Sequence, residues 1–119
     1  MWRDEAYLLD MLLAAREIRQ FVEGETKEHF SGNRMLQLAL MRLIQTIGEA
    51  ARRVSPEFQD NHLEIPWREI IGMRHRLVHE YFRIVPEKVW EIARKEIPAL
   101  IPLIEPLVPP DEPEADGDN

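Results

Sequence analysis

Arg74 and His79 stand five residues apart in a stretch of helical periodicity, and Tyr81 follows two residues later. Arginine is permanently cationic, and its planar fork of donors fits the oxygens of phosphate or carboxylate. Histidine is the side chain whose unperturbed pKa suits proton transfer near neutral pH. Such a pair can stabilise an anionic phosphoryl group and move protons around it without a metal ion. On a helical wheel, Trp67, Ile70, Ile71, Met73, Leu77 and Val78 fall in one broad apolar arc. Arg74 sits near the middle of that arc, where a leucine is expected. Two readings of it are open. One is a structural ion pair, with Glu49 as a candidate partner, because a guanidinium among apolar groups needs acceptors. The other is a clamp for an anionic substrate in a water-poor cleft. His79 lies about 140° around the wheel from Arg74. A histidine there also suits plain charge–dipole placement at a helix end. Tyr81 returns to the Arg74 side, where an aromatic ring packs by default.

Other chemistries are narrowed by composition. His75 and His79 have the four-residue spacing that lets one helix face hold zinc. No HExxH pattern accompanies them, and a third ligand would have to come from His62 or Glu80, so no metal and no cofactor are expected. With no cysteine there is no disulfide framework, thiolate zinc site or cysteine nucleophile. Hydrophobic residues make up 45% and charged residues 31%, the balance of a folded domain rather than a disordered chain. No apolar run approaches the ~20 residues of a membrane span, and acidic Asp4 and Glu5 occupy the place of a signal peptide's basic region. A cytoplasmic protein with no membrane partner is expected. The net charge of −7 argues at first against a nucleic-acid ligand, but most of it lies in Asp111, Glu112, Glu114, Asp116 and Asp118. The remaining body is close to neutral and can carry a local basic cleft.

The elements that must position Arg74 and His79 are helical throughout. A first helix is expected over 4–23, with Tyr7, Leu8, Met11, Leu12, Ala15, Ile18 and Val22 on one face and Gly24 at its end. Thr26 caps a short turn, and the Ser31-Gly32-Asn33 cluster restarts the chain. A second long helix is expected over 34–54, with its main stripe at Leu36, Leu40, Leu43, Ile47, Ala50 and Val54. Met35, Leu38, Ala39 and Met41 widen its apolar surface, which suits a central helix or one shared with a second subunit. Gly48 costs ~1 kcal/mol relative to alanine in a helix, and close approach of a neighbouring helix would explain it. Arg42, Gln45, Glu49 and Arg52 form a polar line on the same helix. Ser55-Pro56 opens a short turn, Pro66 the helix that carries Arg74, and Pro86 a further helix over 86–96. Pro98, Pro102 and Pro106 predict a kinked or broken segment. The reading is an all-α bundle of four to five helices over 1–108, followed by an acidic, disordered tail over 109–119.

The stretch Arg74-His75-Arg76-Leu77-Val78-His79-Glu80-Tyr81 resembles the R-x4-H-x-Y motif of HepT-like HEPN proteins. Ile47-Gly48-Glu49-Ala50-Ala51 resembles that family's second-helix signature. The run from Ile65-Pro66-Trp67 to Ile71-Gly72-Met73 resembles its approach to the motif. The resemblance covers roughly residues 4–108. It implies a HEPN-type bundle that pairs as a homodimer through the motif-bearing helices, so that two motifs line one cleft. It also implies metal-free cleavage of RNA, a toxin role, and a cognate minimal nucleotidyltransferase antitoxin that transfers AMP to the motif tyrosine, here Tyr81. This sequence has His75 where the family commonly has asparagine and Glu80 where it commonly has glycine. Neither replaces a motif residue, though Glu80 adds negative charge beside the site.

Metal-free cleavage of RNA needs the 2′-hydroxyl deprotonated, the leaving 5′-oxygen protonated and the developing charge on phosphorus stabilised. The expected roles are His79 as acid or base, Arg74 as phosphate clamp and Tyr81 as a hydrogen-bonding orienter, with Glu49 and His75 as possible supports. The wide angle between Arg74 and His79 on one helix favours a site assembled across a dimer. Two other functions fit the same residues. One is a non-catalytic partner of a nucleotidyltransferase that binds nucleotide or presents substrate. The other is a plain dimerisation module in which Arg74 is only an ion-pair partner.

Overall fold

The structure is a computed structural model that describes residues 2–79 and 86–109, and only the backbone of Trp2, Val78 and His79. Tyr81, Glu80 and nearly all of the acidic tail lie outside the described residues. Among the described residues the chain is all-α with no strand. The long segments are α1 (Trp2–Val22), α3 (Arg34–Arg53), α5 (Trp67–His79) and the continuous pair α6 (Pro86–Glu91) and α7 (Ile97–Ile104). Two single-turn helices, α2 (Lys27–Ser31) and α4 (Pro56–Asp60), lie in the connections.

Each start has a local cause. The side chains of Thr26, Asn33 and Ser55 accept from the amides of His29, Leu36 and Phe58, so each satisfies a donor that the first helical turn leaves open. Gly24, at φ 81°, supplies the left-handed residue that turns the chain out of α1. The buried Asp4 ties the start of α1 to the corner between α3 and α4. Its carboxylate accepts from the Ser55 amide at 2.9 Å and the Ser55 hydroxyl at 2.7 Å.

The segments lie side by side in the order α7, α1, α3, α5, within a slab of 42 × 36 × 19 Å. α3 is central, flanked by α1 and α5, and its buried residues are centred on Leu40, Ile44, Ile47 and Ala51. The expected stripe is therefore rotated: Ile44 is buried, Leu36 and Leu43 are half-buried, and Met35 is 83% exposed. A helix packed on two flanks has an apolar arc too wide for periodicity to locate its centre.

The proline segment also differs from expectation, because it stays helical. A π-helical turn over Ile92–Glu96 widens the backbone, with the Ile97 amide bonded to the Ile92 carbonyl, before Pro98 enters the first turn of α7. Pro102 and Pro106 lie on the exposed side of the segment, and each removes one helical donor. The opposite side of α7 buries Ile97, Leu100, Ile101 and Ile104. That apolar face holds the helix together against the prolines.

Candidate active site on the Arg74 cleft

α5 begins at Trp67, whose indole NH donates to the His62 carbonyl at 3.0 Å, and it buries Trp67, Ile70, Met73 and Leu77. Its approach to α3 is set by Gly48. A Cβ on that residue would stand 2.1 Å from Cβ of Arg74, 2.9 Å from its Cγ and 3.2 Å from the Ile70 carbonyl oxygen. The missing side chain thus makes room for the aliphatic stem of Arg74. The guanidinium then passes the apolar arc and emerges beside α3 rather than ending inside it.

There Nη2 of Arg74 meets the buried Oε1 of Glu49 at 3.2 Å, an ion pair without a hydrogen bond. The other carboxylate oxygen of Glu49 accepts from Arg52 at 2.9 Å and Arg53 at 3.0 Å. Arg52 and then Arg53 hold the Glu49 carboxyl below the usual carboxylate range; partial burial opposes them, and the charge of Arg74 adds to the lowering. The network therefore contributes its stability above the ordinary glutamate range. That contribution is lost as pH falls through the lowered value. Arg53 is held the more firmly charged by Glu49 and, next, by Tyr7.

This cluster forms one end of a cleft of about 510 Å³ between α1, α3 and α5. Arg74 is 29% and Glu49 34% exposed, so the pair sits at a solvent-accessible wall. Both open readings of Arg74 are partly represented: it has a carboxylate partner, and it faces a cavity. Glu49 and Arg74 are brought together. His75 is exposed on another side of α5, where it lines a wider groove of about 820 Å³ with Trp67, Ile71 and Gly72. His79 closes α5 with its backbone, while its side chain and all of Tyr81 fall outside the described residues. Three lining residues were not legible as site residues. Tyr7 reads as part of an apolar face, and Asp10 as part of a solvated one. Arg53 stands four residues after Glu49, the spacing of a helical ion pair, and that was the available signal.

Comparison with known proteins identifies the family. A family model described as Ribonuclease HepT-like matches residues 11–107. A protein of Methanocaldococcus jannaschii, provisionally named RNase MJ1380, is 31% identical over 96 residues, covering 81% of this chain and 88% of the relative. A provisionally named RNase of Caldanaerobacter subterraneus, TTE0752, is 38% identical over 94 residues, covering 79% and 84%. A protein of Thermococcus cleftensis named probable ribonuclease HepT is 35% identical over 94 residues, covering 79% and 86%. No solved structure gives a significant match. The matched span runs from the middle of α1 past the end of α7 and takes in Gly48, Glu49 and Arg74, so the chain belongs to the HepT-like ribonuclease family of HEPN proteins.

Proposed function

We propose that this protein is a metal-independent endoribonuclease that acts as the toxin of a toxin–antitoxin pair, cutting RNA in a cleft where two copies of Arg74 and His79 meet. The observation that carries this reading is the placement of Arg74, a permanent cation held at the wall of an open cleft by Gly48 and Glu49. Glu49 orients the guanidinium without neutralising the site, since Arg52 and Arg53 share the same carboxylate. An RNA phosphate can take over Arg74 while Glu49 keeps two cations. One histidine removes the 2′-hydroxyl proton as that oxygen attacks phosphorus. The other, from the second copy, protonates the departing 5′-oxygen. The product is a 2′,3′-cyclic phosphate, and Arg74 stabilises the charge that builds on the phosphoryl oxygens. Incubating the purified, unmodified protein with total RNA in EDTA tests this. Cleavage should proceed at the rate seen without chelator, because the side chains supply both proton transfer and charge stabilisation.

The dimer has its own support. α5 stands at the edge of the slab and packs on α3. On α3, Met35 is 83% and Leu38 48% exposed. An interface drawing on both helices should bury on the order of 1,200 Å² or more. Sedimentation equilibrium should find a dimer at micromolar concentration, and a monomer there would remove the two-histidine mechanism.

Control of the toxin follows the same chemistry. We assign Tyr81 as the acceptor of AMP from a cognate minimal nucleotidyltransferase in the cytoplasm. The added phosphate would stand beside the motif and repel RNA by charge and bulk. After co-expression with that enzyme, intact mass should rise by AMP increments that vanish in Tyr81→Phe. The only other tyrosine is Tyr7, and modification mapped there would end this assignment.

A further inference from the structure

The cleft continues beyond Arg74. Its volume of about 510 Å³ exceeds what one phosphate needs and falls in the range of sites for small organic ligands. Its walls are chemically divided. At one end stand Arg74 and Arg53, with Glu49 already shared among cations. Along the wall formed by α1, Tyr7 reaches Arg53, and one turn on Asp10 enters the same lining as Arg42 and Gln45 of α3. Tyr7 is half-buried and packed against the core, so its ring is held in place. Asp10 and Arg42 are exposed, and neither makes an ion pair with any described residue.

A carboxylate without a cation partner weakens binding of an RNA backbone by like-charge repulsion. It becomes useful if it accepts a hydrogen bond from the ligand. Cytosine presents an amino donor at the position where uracil presents an oxygen acceptor, and a carboxylate pairs with the first and repels the second. An aromatic ring one turn away offers a face for the same base, an interaction of the kind that holds single-stranded nucleic acid.

We propose that this cleft seats the nucleotide next to the cleaved phosphate in single-stranded RNA. Arg53 and Arg42 hold its phosphates, Tyr7 stacks along its base, and Asp10 selects a base that carries an exocyclic amino group. The assignment rests on the ribonuclease reading, because it takes RNA as the ligand. It adds a base preference that the Arg74–His79 pair does not supply.

Binding of cleavage-resistant 2′-O-methyl oligocytidine and oligouridine to the full, unmodified chain tests it by fluorescence anisotropy. The cytidine oligomer should bind about fivefold or more tightly than the uridine oligomer, the effect of one base-edge contact. Asp10→Ala should erase the difference in a specific way, weakening oligocytidine while leaving oligouridine unchanged or tighter. Arg42→Ala should weaken both equally and reduce the salt slope by about one. A merely electrostatic role for Asp10 would strengthen both oligomers by the same factor, and a structural role would weaken both. Either result overturns the proposal, as does equal binding of the two oligomers by the wild type or no binding of either. None of these readouts involves cleavage. The ribonuclease reading is judged separately, by the effect of His79→Ala on total RNA.

Discussion

His79→Ala and Arg74→Ala should each leave a folded helical chain whose cleavage of RNA has fallen by at least about 100-fold, the lower range for losing a group that moves protons in the reaction. For Arg74 the fold should tolerate the change. Had the guanidinium been buried among apolar groups, its removal would strand a carboxylate at a cost of about 3–5 kcal/mol. The geometry is different. Glu49 is 34% exposed and keeps Arg52 and Arg53, so the loss should resemble that of a surface pair, at most about 1 kcal/mol. Arg74→Lys keeps the charge but not the two-pronged donor set, and its rate should fall between wild type and alanine. Thermal melts followed by circular dichroism, beside rates on total RNA, separate the outcomes. A large fall in melting temperature for Arg74→Ala with cleavage retained would make it a structural ion pair. Undiminished cleavage by His79→Ala would move the assignment to the non-catalytic nucleotidyltransferase partner.

Gly48→Ala should destabilise the fold, although alanine is the better helix former by ~1 kcal/mol. The new methyl would lie 2.1 Å from Cβ of Arg74 and 3.2 Å from a backbone carbonyl, so no rotamer change relieves it. α3 and α5 must move apart. Overpacking of this kind costs typically 1–3 kcal/mol and here belongs at or above the upper end, because two helices shift rather than one side chain. Net destabilisation of about 2 kcal/mol is expected in chemical denaturation. Cleavage by the folded fraction should fall as well, since the displaced residue is Arg74 itself. Gly72→Ala is the matched control. Nothing lies within 4 Å of its added methyl, so the chain should gain up to ~1 kcal/mol of helix stability. The two glycines, on helices that pack together, should thus respond with opposite sign. Equal stabilisation by both changes would mean that α3 and α5 do not approach at Gly48.

Local rules reached far along this chain. Thr26, Asn33 and Ser55 cap the helices they precede, and Pro66 and Pro86 stand at the starts of α5 and α6. These are interactions within one turn, so residue type and spacing suffice to place them. The reach of such rules ends where a helix has neighbours on two sides. Periodicity identified α3 as broadly apolar but put Leu36 and Leu43 in the main stripe and omitted the buried Ile44. For the proline segment, each ring does remove a donor as expected. The apolar face of Ile97, Leu100, Ile101 and Ile104, together with one widened turn, keeps the segment helical.

The amino-acid order alone carries the all-α class, the course of the long helices and membership in the HepT-like family, through residues that act within a turn or stand in a recognisable order. It also singled out Gly48, Glu49 and Arg74, since a glycine inside a helix and an arginine in an apolar arc both break local preference. What those exceptions do together depends on how the helices pack. Gly48 lets α5 come close enough for the stem of Arg74 to pass, and Glu49, with Arg52 and Arg53, receives its charge at the wall of a cleft. The same packing put His75 in a different groove, set Tyr7 of α1 beside Arg53 and brought Asp10 into one cleft with Arg42 of α3. No periodicity carries that information, because the rotation of one helix about its axis relative to another is set by which side chains interlock between them.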